Sequence, residues 1–108
     1  MRNTFFFLIL LLFGTTVHAQ WIQKGMDIDG ETADDQSGRS ISMSSNGNTI
    51  AIGAYKNDGA GTGAGHVRIY EWNGTSWTQK GLDIDGEAAD DLSGYSISLS
   101  SDGSSLAI

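Results

Sequence analysis

The sequence predicts an all-β fold, part of a β-propeller built of four-stranded antiparallel blades with a 56-residue repeat. Three observations carry this. Trp21-Ile22-Gln23-Lys24-Gly25-Met26-Asp27-Ile28-Asp29-Gly30-Glu31 returns as Trp77-Thr78-Gln79-Lys80-Gly81-Leu82-Asp83-Ile84-Asp85-Gly86-Glu87, and 22 of 32 positions are identical between 21–52 and 77–108. Apolar and small polar residues alternate with period two, the pattern of half-buried strands. Asn-Gly and Asp-Gly pairs punctuate the alternating runs, as hairpin turns do. A sandwich of short strands would share the last two features but not a fixed period of this size.

Each element follows in order. In 38–45, Ile41 and Met43 point one way and Ser40, Ser42 and Ser44 the other; the second copy keeps this with Tyr95, Ile97 and Leu99 against Ser96, Ser98 and Ser100. The serine row is the small face against which a neighbouring sheet can pack closely, with aliphatic residues filling the opposite side. Asn46-Gly47 and Asp102-Gly103 predict type I′ turns. A second strand over 49–53 leads into a flexible glycine-rich loop at 55–65. A third strand covers 66–72, Asn73-Gly74 turns the chain, and a fourth covers 76–82. One complete blade thus spans 38–82. Residues 20–26 match the fourth strand and precede any first strand, so they are expected as an outer strand that would complete a closing blade. The first repeat is 20–76 and the second, truncated, is 77–108.

Up-and-down order places the tight turns 45–48 and 73–75 on one face. The long loops 55–65 and 27–37 share the other face, where binding usually sits on a rigid scaffold. One blade cannot bury both its faces, so further repeats or copies are expected to close the propeller, which uses about four to eight blades.

The first residues read as a secretory signal peptide, 1–19. Arg2 supplies the charge, 5–13 is an apolar run, and Val17-His18-Ala19 precedes Gln20 with small residues at the cleavage positions. The apolar run is far short of the ~20 residues a spanning helix needs, so no transmembrane segment is expected. The expected location is secreted or cell-surface. No cysteine is present, which excludes a lipid-modified cysteine and a disulfide scaffold. Loss of Arg2 takes the formal charge from −7 to −8. That charge argues against nucleic acid and anionic membranes as partners.

These residues resemble the FG-GAP repeat, the blade unit of integrin alpha-chain propellers and of bacterial secreted tandem-repeat proteins. The likeness rests on Ser37-Gly38, Ser40-Ile41-Ser42, Gly47, Ile50-Ala51-Ile52-Gly53-Ala54 and Gly65-His66-Val67-Arg68-Ile69-Tyr70. It covers one full repeat and half of the next. Ser37 and Ser93 replace the family's Phe, and Tyr55 replaces its Pro. Calcium-binding members use an Asp-rich loop between the first two strands. Here that loop is Ser44-Ser45-Asn46-Gly47-Asn48, with only Asp102 in the second copy, so that site does not carry over. Residues 101–107 also resemble other propellers, including WD-repeat types, though no Trp-Asp pair occurs.

The sharpest polar cluster is Asp27, Asp29 and Glu31, followed by Asp34 and Asp35, which recurs as Asp83, Asp85 and Glu87 with Asp90 and Asp91. Spaced carboxylates around a glycine can supply the six to eight oxygens that calcium takes. The six residues Asp27, Asp29, Glu31, Asp83, Asp85 and Glu87 are therefore candidate calcium ligands. The competing reading is a solvated turn in which carboxylates cap backbone amides. The glycines of 59–65 lack the spacing and the following helix of a phosphate cradle. His66 has no second histidine or cysteine with which to hold zinc after cleavage, and reads as a strand-edge residue. Trp21, Trp72 and Trp77 read as packing residues of outer strands rather than a sugar-stacking platform. Asn73-Gly74-Thr75 matches a glycosylation sequon, but the turn explains it.

No catalytic constellation stands out. The expected role is a non-catalytic scaffold for binding or adhesion, presenting its long-loop face to an extracellular protein or glycan. The alternative is a propeller hydrolase or lyase, or a propeller accessory to a catalytic domain outside this sequence.

Overall fold

The computed structural model describes Gly14 and residues 19–108. Apart from Gly14 and Ala19, the expected signal peptide lies outside the described residues. Within them the chain is all-β, with antiparallel sheets and no helix. No helix is long and apolar enough to cross a membrane among the described residues.

The first sheet is an antiparallel meander: β1 (Ser40–Met43), β2 (Thr49–Ala54), β3 (His66–Trp72) and β4 (Trp77–Gln79), in that order. β5 (Ile84–Asp85) pairs with the start of β3, while β4 pairs with its end. β4 and β5 are two pieces of one outer edge. The run expected as a single strand over 76–82 breaks after Gln79 because Gly81 takes a left-handed φ of 77°. Residues 20–26 form no strand. They pair with no strand of either sheet, and Trp21 is 99% exposed. A second sheet, β6 (Ser98–Leu99) with β7 (Leu106–Ala107), repeats the β1–β2 hairpin.

The backbone repeats as faithfully as the sequence. Left-handed φ values recur at equivalent positions: 86° and 87° at Gly38 and Gly94, 73° at both Gly47 and Gly103, and 67° and 63° at Asp34 and Asp90. The hairpin turns are not type I′, which needs positive φ at both central residues. Only the glycine is left-handed; Gly47 N–H donates to Ser44 O, and Gly103 N–H to Ser100 O. This is a type I turn with glycine at its fourth position. Asn46 does not need the unusual φ because its side chain closes the turn instead, accepting from Asn48 N–H at 3.0 Å.

The core lies between the two copies. Ala51 and Val67 of the first pack against Leu99 of the second, with Ile69, Ile97 and Leu106 around them. The expected serine face is in place. Ser42 Oγ accepts from Leu99 N–H at 2.9 Å, and Ser40 Oγ donates to Gly94 O at 2.6 Å. Serine fits because it is small enough for close approach and bonds the backbone groups it would otherwise strand.

Candidate functional site

The glycine-rich loop and the acidic loops meet at this seam. Asn57 N–H donates to Ala54 O, and the Asn57 side chain, almost fully buried, donates to Asp35 Oδ2 at 2.8 Å and accepts from Gly59 N–H at 2.9 Å. The rest of the loop is not the flexible connector expected from its composition. Gly86 N–H donates to Gly65 O, Ser93 N–H to Ala64 O, Leu92 N–H to Gly63 O and Asp90 N–H to Thr62 O. The glycines serve close backbone approach: a Cβ at Gly65, whose φ is 75°, would lie 2.6 Å from Ser93 N. The loop is a docking strip for the second copy's 86–93 segment.

His66 opens β3. It was expected at a strand edge but is 1% exposed, because β5 pairs outside it and aligns Asp85 opposite. Its Nδ1 lies 3.6 Å from Asp83 Oδ2 and 3.9 Å from Asp85 Oδ1. Its Nε2 is buried with no hydrogen-bond partner. Glu31, His66 and Asp83 each offer a ligand atom, all within 4.8 Å of one another. Arg68, also buried, donates from Nη2 to Asp29 O at 2.7 Å and stands near Asp83.

Electrostatics distinguish the carboxylates. Burial pushes Asp83 up, but hydrogen bonds involving Gln79 and Glu31 and the nearby His66 and Arg68 outweigh it, leaving the carboxyl below its ordinary 3.8. Asp35 follows the same pattern: burial raises it, while Asn57 and Thr32 hydrogen-bond the carboxylate and hold it below 3.8.

Of the six candidate calcium ligands, Glu31 and Asp83 converge and Asp85 borders them. Asp27 is exposed and accepts from Gln23 Nε2 at 2.7 Å, the counterpart of Gln79 to Asp83 at 2.6 Å. Asp29 contributes its backbone carbonyl to Arg68, and Glu87 lines a surface hollow with Asp85, Asp91 and Tyr95. Asp27 and Asp29 hold the register of Asp83 and Asp85, but no histidine from a preceding β3 faces them within the described residues. Asn57 and His66 are the residues that reading the sequence for this site missed; Asp35 was read in the polar cluster but not as a ligand. No local pattern marked His66, because the strand that covers it, β5, lies in the second copy.

The turn where calcium-binding relatives carry an Asp-rich loop does not fit an ion. Asn46 Oδ1 is taken by Ser44 Oγ and Asn48 N–H, and Asp102 Oδ1 by Ser100 Oγ, Ser104 N–H and Ser104 Oγ. Of the tryptophans, Trp72 and Trp77 pack edge-to-face at 5.3 Å beneath Lys24, and Trp77 Nε1 donates to Lys24 O at 2.8 Å. Trp21 does not pack, since no neighbouring strand covers it. Asn73 closes its own turn, its Oδ1 accepting from Thr75 and Ser76 N–H.

An antiparallel four-stranded unit that docks its small-residue face on the next copy defines the class: an all-β tandem-repeat protein. Residues 26–70, from the first acidic loop through most of β3, match the FG-GAP repeat, and the chain carries a repeat of that family. Neither a curated protein nor a solved structure matches the chain.

Proposed function

We propose that this chain is part of a secreted or cell-surface β-propeller that acts as a non-catalytic scaffold for binding or adhesion. The observation that supports it best is the seam. Two copies pack through Ser40 and Ser42 on one side and Ile97 and Leu99 on the other, the face-to-face stacking that a propeller propagates around its axis. The FG-GAP match is consistent with an extracellular role of this kind.

The partner is an extracellular protein or glycan, held on the face where 27–37, 55–65 and 83–93 lie together. These segments are fixed by hydrogen bonds to one another, so the face is organised before a ligand arrives. The test is a binding screen of the full chain against extracellular glycans and matrix proteins, repeated with 58–63 shortened. Binding that disappears with the loop supports the scaffold reading. Cleavage of a bound glycan would replace it with the hydrolase or lyase alternative.

A further inference from the structure

We infer that Glu31, His66 and Asp83 form a divalent-cation site that joins one repeat to the next and prefers a zinc-like ion to calcium. The ligands come from three separate places: the first acidic loop, the start of β3 and the second acidic loop. Their ligand atoms are already within 4.8 Å of one another.

His66 supplies the independent argument. An enclosed imidazole normally hydrogen-bonds through its ring nitrogens. Here Nδ1, the nitrogen turned to the site, faces two carboxylates at 3.6 and 3.9 Å, beyond hydrogen-bond length, while Nε2 on the other side of the ring is buried without a partner. That spacing suits ligands sharing an ion. Two donors about 2.0–2.1 Å from a tetrahedral zinc stand about 3.4 Å apart.

Charge points the same way. The ligand oxygens of Glu31 and Asp83 lie within 4.8 Å of each other, and Asp85 stands beside them. Carboxylates this close repel, and a cation between them relieves the repulsion. Glu31, Asp35, Asp83 and Asp85 bring a formal −4 and Arg68 brings +1, so the acidic groups around His66 outnumber the fixed cation and a divalent ion reduces the imbalance.

The donor set decides which ion. Calcium takes six to eight oxygens. One imidazole nitrogen with two carboxylates, leaving a position for water, is a set suited to zinc and its neighbours. The site differs in place and chemistry from the calcium loop of the family, whose equivalent turn here is closed by its own side chains. Bound to one folded arrangement and not to the unfolded chain, the ion stabilises the seam by mass action.

The experiment is calorimetric titration of the chelator-treated full chain with zinc chloride and, separately, calcium chloride. The readout is repeated on the Glu31→Gln/Asp83→Asn double variant, whose two positions tolerate a neutral side chain because Glu31 is exposed and Asp83 is only partly covered. Zinc is expected to bind at one per chain, and calcium far more weakly. The double variant should lose roughly 100-fold or more of the zinc affinity, since loss of even an outer partner costs about 10–100-fold. Nitrogen-15 spectra of the histidines should show zinc moving the His66 ring resonances. Absence of saturable zinc binding overturns the inference. Zinc binding unchanged in the double variant, or accompanied by shifts of His18 alone, overturns it too. Calcium binding as tight as zinc would overturn the choice of ion.

Discussion

The first strands of the two repeats carry nearly the same sequence and meet opposite surroundings. In β1, Ile41 and Met43 are 61% and 51% exposed; in β6, the Met43 counterpart Leu99 is 9% exposed. The difference lies wholly in what precedes each strand. β6 has the Ala51–Val67 face of the first repeat to pack on, whereas β1 has no such face before it among the described residues. Burial here is a property of the seam between repeats rather than of a repeat. That is the nearest-neighbour logic of stacked modules, in which interface terms supply stability that single units lack.

Equivalent residues can therefore be used as internal controls. The largest contrast is expected at Gly38 and Gly94, whose φ values are 86° and 87°. An alanine at Gly38 meets nothing within 4 Å and bears only the left-handed strain, about 1–2 kcal/mol. An alanine at Gly94 bears the same strain and also drives its Cβ to 2.6 Å from His66 O and 3.0 Å from Val67 Cγ2. Overpacking of this kind adds about 1–3 kcal/mol, so Gly94→Ala should cost about 3–4 kcal/mol. Urea unfolding of the two variants measures the gap. Equal losses would mean that the seam contributes nothing at this point.

A smaller contrast separates Leu99 from Met43. Leu99→Ala removes a buried side chain from contact with Ala51 and Val67 and should cost about 2–3 kcal/mol. Met43→Ala, on the open face, should stay within about 0.5 kcal/mol. A Met43 effect as large as that of Leu99 would show that β1 is covered in solution, for instance by a second chain offering its Ala51–Val67 face. Sedimentation of the same samples distinguishes that outcome from a local effect.

The same dependence on neighbours explains how much was legible in the sequence. The four strands of the first sheet, their order and the serine face were readable because each follows from local period and turn chemistry. His66 at the centre of a sheet was not, because its burial is created by Ile84 and Asp85, eighteen and nineteen residues further on. The 55–65 loop misled for a related reason. Glycine density signals freedom in an isolated segment, but here it signals backbone brought against backbone. For 20–26 the strand pattern was present, but the segment pairs with no strand of either sheet. For the acidic residues, the repeat identified which carboxylates belong together by register. It could not show that the convergent ones come from different copies, Glu31 from the first and Asp83 from the second.

The smallest contrast lies in the hairpin turns, where Asn46 and Asp102 hold the same position. Both side-chain oxygens accept from the serine two residues before and from the amide two residues after. Only the second turn titrates. Hydrogen bonds from Ser104, through its hydroxyl and amide, and then from Ser100 hold the Asp102 carboxyl down at about 2, below the ordinary 3.8. A carboxyl lowered by folding contributes stability that is fully present above 3.8 and is lost as the pH falls through the folded value. The β6–β7 turn should therefore loosen between pH 4 and about 2, while the β1–β2 turn, closed by a neutral amide, should not respond through this position. Because Asp102 is fully exposed, solvent screens the effect, and added salt should weaken it. Carbon-13 titration of the Asp102 carboxyl, read beside the Asn48 and Ser104 amide shifts, checks both halves. A midpoint near 3.8 would mean that the serine hydrogen bonds do not persist in solution. Parallel shifts of the two amides would mean that acid acts on the seam as a whole rather than on this turn.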